Sequence, residues 1–125
     1  MLVDTDVLIW CLRGNSKAVA TVEKLPRRKI SVITRLELMQ GCRDKKEHRL
    51  LRRFLNDHAV EVIELSAEIG YRADTWMEEY HLSNRMGVAD CLIAASAFAL
   101  AVPLLTANAR HFRCFPMLDV QRFVP

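Results

Sequence analysis

The sequence predicts an α/β protein: a mostly parallel sheet between two layers of helix, a three-layer α/β/α arrangement in one domain spanning residues 1–125. Two observations carry this. Short apolar or β-branched runs alternate with longer stretches whose apolar residues recur every three or four positions. No linker, repeat or low-complexity stretch divides the 125 residues, a length that suffices for one core and is too short for two. Strands separated by helices pair in parallel, because each crossover returns the chain to the same edge of the sheet.

Each element has its own signal. Met1–Val3 reads as a short strand, and "TDVLIWCLRG" as a short helix with Leu8, Ile9 and Leu12 on one face and Gly14 as its stop. Asn15 or Ser16 caps a second helix that carries Ala18, Val19, Val22 and Leu25 and is ended by Pro26. "KISVIT" is rich in β-branched residues and reads as a strand. "TRLELMQG" turns helical up to Gly41, with Thr34 and Glu37 at capping-box spacing. "KKEHRLLRRFLNDH" is an amphipathic helix with Leu50, Leu51, Phe54 and Leu55 inward, and "VEVIEL" alternates like a strand. Ser66 caps a helix striped by Ile69, Ala73, Trp76 and Tyr80. "NRMGVAD" is a loop leading into the apolar helix Cys91–Ala101. "VPLLT" is a strand, "ANARHF" a turn or short helix, and "MLDVQRF" a final strand.

Composition excludes several classes. At 51% hydrophobic and 26% charged the chain is globular rather than disordered. Its net charge of +3 is compatible with a polyanionic partner without identifying one. Cys11, Cys42, Cys91 and Cys114 are scattered, with no C-x-x-C pair; Cys11 and Cys91 sit among aliphatics as small core residues of a reducing compartment. His48, His58, His81 and His111 lack metal-ligand spacing such as H-E-x-x-H. Asp4 and Asp6 interrupt the start where a signal peptide would need an apolar stretch, and "CLIAASAFALAVPLL" is too short to span a bilayer and is broken by Pro103. A cytoplasmic location with no membrane partner is expected. There is no G-x-S-x-G and no phosphate-cradling P-loop.

The chemistry lies in the placement of carboxylates. Asp4 ends the first strand, Glu37 lies in the first turn after the strand "ISVI", and Asp90 opens the apolar helix. Open α/β sheets bind ligands outside the carboxyl ends of their strands, so Asp4 and Glu37 emerge at one edge, where Asp90, Thr106, Asn108 and His111 can join them. Each acid also has a plain structural explanation: Asp4 and Asp6 as helix caps, Glu37 as half of a capping box, Asp90 as a first-turn acid. Together they repel one another unless a cation lies between them. A hard cation such as Mg²⁺ or Mn²⁺ takes oxygen ligands, keeps several waters, and promotes in-line phosphoryl displacement with no serine or cysteine nucleophile.

Four segments carry a resemblance. "MLVDTDVLIW" resembles the opening of PIN-domain proteins, D-T-[DN]-x-x-[IL]; "SVITRLELMQG" is similar to their second motif, S-x-x-[ST]-x-x-E-[LV]-x-x-G; "GVADCLIAASA" to their third, D-x-x-I-A-A-x-A; and "LLTANARHF" to their fourth, T-x-N-x-x-[DE]-F. Order, spacing and length are similar to the VapC-type toxins of bacterial and archaeal toxin–antitoxin pairs, over essentially the whole chain. The resemblance implies a PIN-like fold and a Mg²⁺- or Mn²⁺-dependent endoribonuclease, a homodimer inhibited by a small antitoxin that reaches into the active-site groove. It makes Asp4, Glu37 and Asp90 the acidic cluster: Asp4 and Asp90 as metal ligands, Glu37 as a ligand or as the group that orients the attacking water. Thr5, Thr106 and Asn108 fall on supporting polar positions.

One departure stands out. Where many members have an acid before the Phe of the fourth motif, this chain has His111, and Asn108 is an amide where some members supply that acid instead. Asp6 and Asp119 are the carboxylates left to substitute, and His111 is a candidate phosphate contact or acid–base group. This leaves a second expectation: a degenerate PIN module that binds nucleic acid or a partner protein without cutting. Its phosphate contacts would come from Arg27, Arg28, Lys29, Arg43, Lys45, Lys46, Arg52 and Arg53, some of which are also the ordinary solvated faces of helices. Trp10, Leu36 and Met39 are candidates for an antitoxin groove, with core packing as the alternative. A receiver-like phospho-acceptor domain ranks below both, because "PLLTANA" lacks the lysine it needs after a late strand.

Overall fold

The computed structural model describes all 125 residues, and its shortest strand is at the centre. β1 (Leu2–Val3) lies between β2 (Arg28–Ser31) and β4 (Leu104–Thr106), with β3 (Val60–Ile63) and β5 (Val120–Arg122) outside them. The order is β3-β2-β1-β4-β5 and every pairing is parallel. The chain builds outward from β1 on one side, then crosses to build on the other. That reversal makes the carboxyl ends of β1 and β4 the topological switch point, where open α/β sheets leave a crevice.

Seven helices cover the sheet: α1 (Thr5–Leu12), α2 (Ser16–Glu23), α3 (Val32–Gln40), α4 (Lys45–Asp57), α5 (Ala67–Asn84), α6 (Val88–Ala99) and α7 (Ala109–Phe112). Two apolar clusters form the two sides. Leu2 and Leu104 join Ile69, Trp76, Ile93 and Phe112 in one. Their neighbours Val3 and Leu105 join Val7, Leu8, Ile30, Leu51 and Leu55 in the other. This is the period-two alternation of a strand buried on both faces. Trp76 stacks on Phe115 with ring centroids 4.3 Å apart, an aromatic pair of about 0.5–1.5 kcal/mol beyond its area.

Several local expectations change. The run "KISVIT" is strand only to Ser31; the Ser31 hydroxyl accepts from the Ile33 N–H and starts α3 at Val32 in spite of its β-branched residues. Ser31 therefore caps α3 in place of a Thr34–Glu37 box, and Glu37 lies in the second turn rather than the first. The last helix before β4 begins at Val88, so Asp90 falls inside its first turn. Leu12 and Leu50 do not face the core but are 46% and 52% exposed. Asp119 stands before β5 at the amino end of the sheet, where its carbonyl accepts from the Leu104 N–H, far along the strand from the carboxyl edge. Cys11 and Cys91 are buried as anticipated, and all four thiols are free. No helix is long and apolar enough to cross a membrane.

Candidate functional site

Asp4 follows the last residue of β1 and is only 5% exposed. Its backbone is extended and its Oδ1 accepts from the Thr5 N–H at 2.8 Å, so it does cap α1. Its Oδ2 accepts from the Thr106 hydroxyl, at the end of β4, at 2.7 Å. Thr106 Oγ1 in turn accepts from the Asn108 N–H at 3.0 Å. The hydroxyl is thereby committed in both directions. The supporting part of Asn108 is its backbone; its side chain makes no cap bond and the residue is exposed.

Asp6 is more than a capping acid. From the first turn of α1 its carboxylate crosses to the β4–α7 turn, where Oδ1 accepts from the Ala107 N–H at 3.3 Å and Oδ2 lies 3.4 Å from the Thr106 hydroxyl. Asp4 and Asp6 thus share one threonine. Burial pushes the Asp4 carboxyl up to about 7, the charge of Asp6 adds to this, and that of Asp90 adds less; the bonds from Thr106 and Thr5 oppose the rise. Asp6 is raised as well, chiefly by burial and further by Asp90, against the bonds it accepts. An acid so disposed is a candidate functional group, because its charged form lacks a compensating cation.

Asp90 reaches the same edge from the first turn of α6. Its Oδ2 lies 3.2 Å from His111 Nε2, with the aspartate side chain 39% exposed and the histidine 23%. Glu37 arrives by another route: its Oε1 accepts from the Thr5 hydroxyl at 2.7 Å, and that hydroxyl also lies 2.9 Å from Thr34 Oγ1. Thr34 is fully buried and was not among the anticipated site residues. Its only signal in the sequence is its place inside the second motif.

A groove of about 650 Å³ opens beside Glu37, lined among others by Ile9, Leu12, Arg13, Arg43 and Leu50 from α1, α4 and the segments that follow α1 and α3. Trp10, Leu36 and Met39 do not line it; Trp10 and Met39 pack against the core and Leu36 points to solvent. The basic residues around Arg27 lie elsewhere: the Arg28 guanidinium donates to the carbonyls of Val22, Glu23 and His58 and ties α2 to the α4–β3 turn. Its role is structural.

The carboxylates form an all-oxygen donor set suited to a hard divalent cation. No three His, Cys, Asp or Glu side chains converge closely enough to make a full protein shell. The set therefore fits an ion held by one or two carboxylates and completed by water, the usual mode for Mg²⁺.

The PIN domain family model matches residues 1–115, a span that includes Asp4, Glu37, Asp90 and His111. The chain belongs to the PIN-domain family. This PIN domain is 38% identical over 132 aligned positions to Ribonuclease VapC10 of Mycobacterium tuberculosis, covering all of this chain and 95% of that one. Its fold is similar to a toxin–antitoxin complex from Klebsiella pneumoniae, with a TM-score of 0.77 and 30% identity over 96% of this chain and 94% of that one. A VapBC2 structure from Rickettsia felis bound to a promoter DNA fragment shares the fold with a TM-score of 0.83, at 21% identity and 98% coverage of both chains. The five-stranded parallel sheet and flanking helices are those anticipated for a PIN-like α/β/α protein.

Proposed function

We propose that this PIN domain is the ribonuclease toxin of a toxin–antitoxin pair, an endoribonuclease that hydrolyses RNA phosphodiester bonds with Mg²⁺ or Mn²⁺. The observation that carries this is the uncompensated acid corner at the switch point, with Asp4 raised to about 7 among Asp6 and Asp90. The names of the relatives support the activity and the kind of partner. Asp4 and Asp90 would hold the cation, with Glu37 as the group that orients the attacking water. When bound, the cation supplies charge neutralisation and a more acidic water.

The chain's own residues do the rest. Thr106 and the Thr5 N–H hold both oxygens of Asp4 in one orientation. Thr5 holds Glu37 in the lining of the groove. The groove, apolar along Ile9, Leu12 and Leu50 and edged by Arg13 and the Arg43–Glu47 ion pair, suits an amphipathic segment of an antitoxin more than a small ligand. A homodimer working in the cytoplasm completes the proposal.

The second reading is a PIN module that binds without cutting. It is favoured by one observation: His111 pairs with Asp90 instead of adding a carboxylate to the cluster. Purified protein incubated with structured RNA separates the two. Cleavage with Mg²⁺ or Mn²⁺ that stops on adding EDTA supports the nuclease; RNA retention with no cleavage and no divalent binding at millimolar concentration supports the binding module.

A further inference from the structure

Thr34 has no exposed surface, yet it carries a hydroxyl that apolar packing does not require. A helical threonine ordinarily turns its hydroxyl back to the carbonyl one turn earlier. Here it lies 2.9 Å from Thr5 Oγ1, across 29 residues of sequence. The same Thr5 oxygen is 2.7 Å from Glu37 Oε1. A carboxylate accepts and does not donate, so the Thr5 proton goes to Glu37. The proton between the two threonines is then supplied by Thr34, and a directed relay runs Thr34 to Thr5 to Glu37.

We propose that Thr34 is a positioning residue, which fixes the Thr5 hydroxyl so that it donates to Glu37 and holds that carboxylate in the groove lining. The relay joins α1 to two successive turns of α3. It mirrors the Asn108 N–H to Thr106 to Asp4 sequence on the other side of β1. Only its kinetic consequence rests on the ribonuclease reading; the geometric claim does not.

Thr34→Val keeps the shape of the side chain and removes the proton. Thr34→Ser keeps the proton and opens a small void. The tests are RNA cleavage with Mn²⁺, the melting temperature, and the side-chain carboxyl resonance of Glu37 in ¹³C-glutamate-labelled protein, assigned with Glu37→Gln. Thr34→Val should lower kcat by about tenfold or more at little-changed KM and move the Glu37 resonance, because small displacements of a positioned group are costly. Thr34→Ser should melt lower than Thr34→Val yet retain the wild-type resonance and most of the activity. A purely structural threonine gives the opposite order, with activity following stability, and that result overturns the proposal, as does an unmoved Glu37 resonance in Thr34→Val. If the wild type cuts no RNA while the resonance shifts as described, the ribonuclease reading fails and the relay stands.

Discussion

Asp4 and Asp90 stand at the same edge of the sheet, but their surroundings treat them differently. Asp4 is buried, is held by a hydroxyl and a backbone N–H, and shares that hydroxyl with Asp6. Asp90 is partly exposed and faces an imidazole. At the first corner neutral donors fix the carboxylates without cancelling their charge. At the second, a group able to carry positive charge is already present. The difference teaches where a cation has most to offer: burial raises the cost of a charged Asp4, and an ion beside it offsets that cost. Asp90 instead has a ring nitrogen of His111 3.2 Å from its Oδ2.

The largest test of this contrast is Asp4→Asn. It should reduce cleavage of a labelled RNA by about a thousandfold at saturating Mn²⁺, several kcal/mol of transition-state stabilisation. Comparable initial rates from wild type and variant would erase the distinction. Thr106→Val should come next, with cleavage about tenfold slower, because it removes the donor that holds Asp4 Oδ2 and opposes its raised pKa.

Stability provides a third test, in EDTA. The folded Asp4 carboxyl titrates near 7 against an ordinary value of 3.8, so the folded state keeps its proton longer than the unfolded chain does. Stability of the metal-free wild type therefore falls as pH rises from about 4 to about 7 and levels off above that. Asp4→Asn lacks this loss, so it should melt several degrees higher than wild type at pH 8, with the gap closing towards pH 4. A gap that does not change with pH would show that Asp4 is not a strained acid. The smallest expected effect is that of His111→Ala, less than about fivefold on cleavage, since a partly exposed pair is worth little.

How much of this was legible in the sequence follows from how local each signal is. The elements were readable because capping and periodicity act over a few residues: Gly14, with φ at +85°, stops α1's extension, and Asn15 and Ser66 cap the helices they precede. The boundary at Ser31 was hidden because Val32 and Ile33 favour strand locally, and only the serine cap and packing override them. Asp4, Glu37 and Asp90 were singled out from strand ends and motif order, and Thr5 and Thr106 from the motifs that carry them. Other contacts around them were not legible. Asp6 bonds to Ala107 across 101 residues, and Thr34 to Thr5 across 29, and such pairs leave no trace in local pattern. Trp10 and Met39 were open between groove and core for a related reason: they pack against the core, but which helix faces stay open is decided by how α1, α3 and α4 pack.

The central claim is that the acid corner exists to hold a divalent cation, and calorimetric titration of Mn²⁺ tests it most directly. Wild-type protein should bind with measurable heat in the micromolar to millimolar range, and the double variant Asp4→Asn, Asp90→Asn, folded by its circular dichroism, should give none. Equal binding by the two proteins would contradict the account.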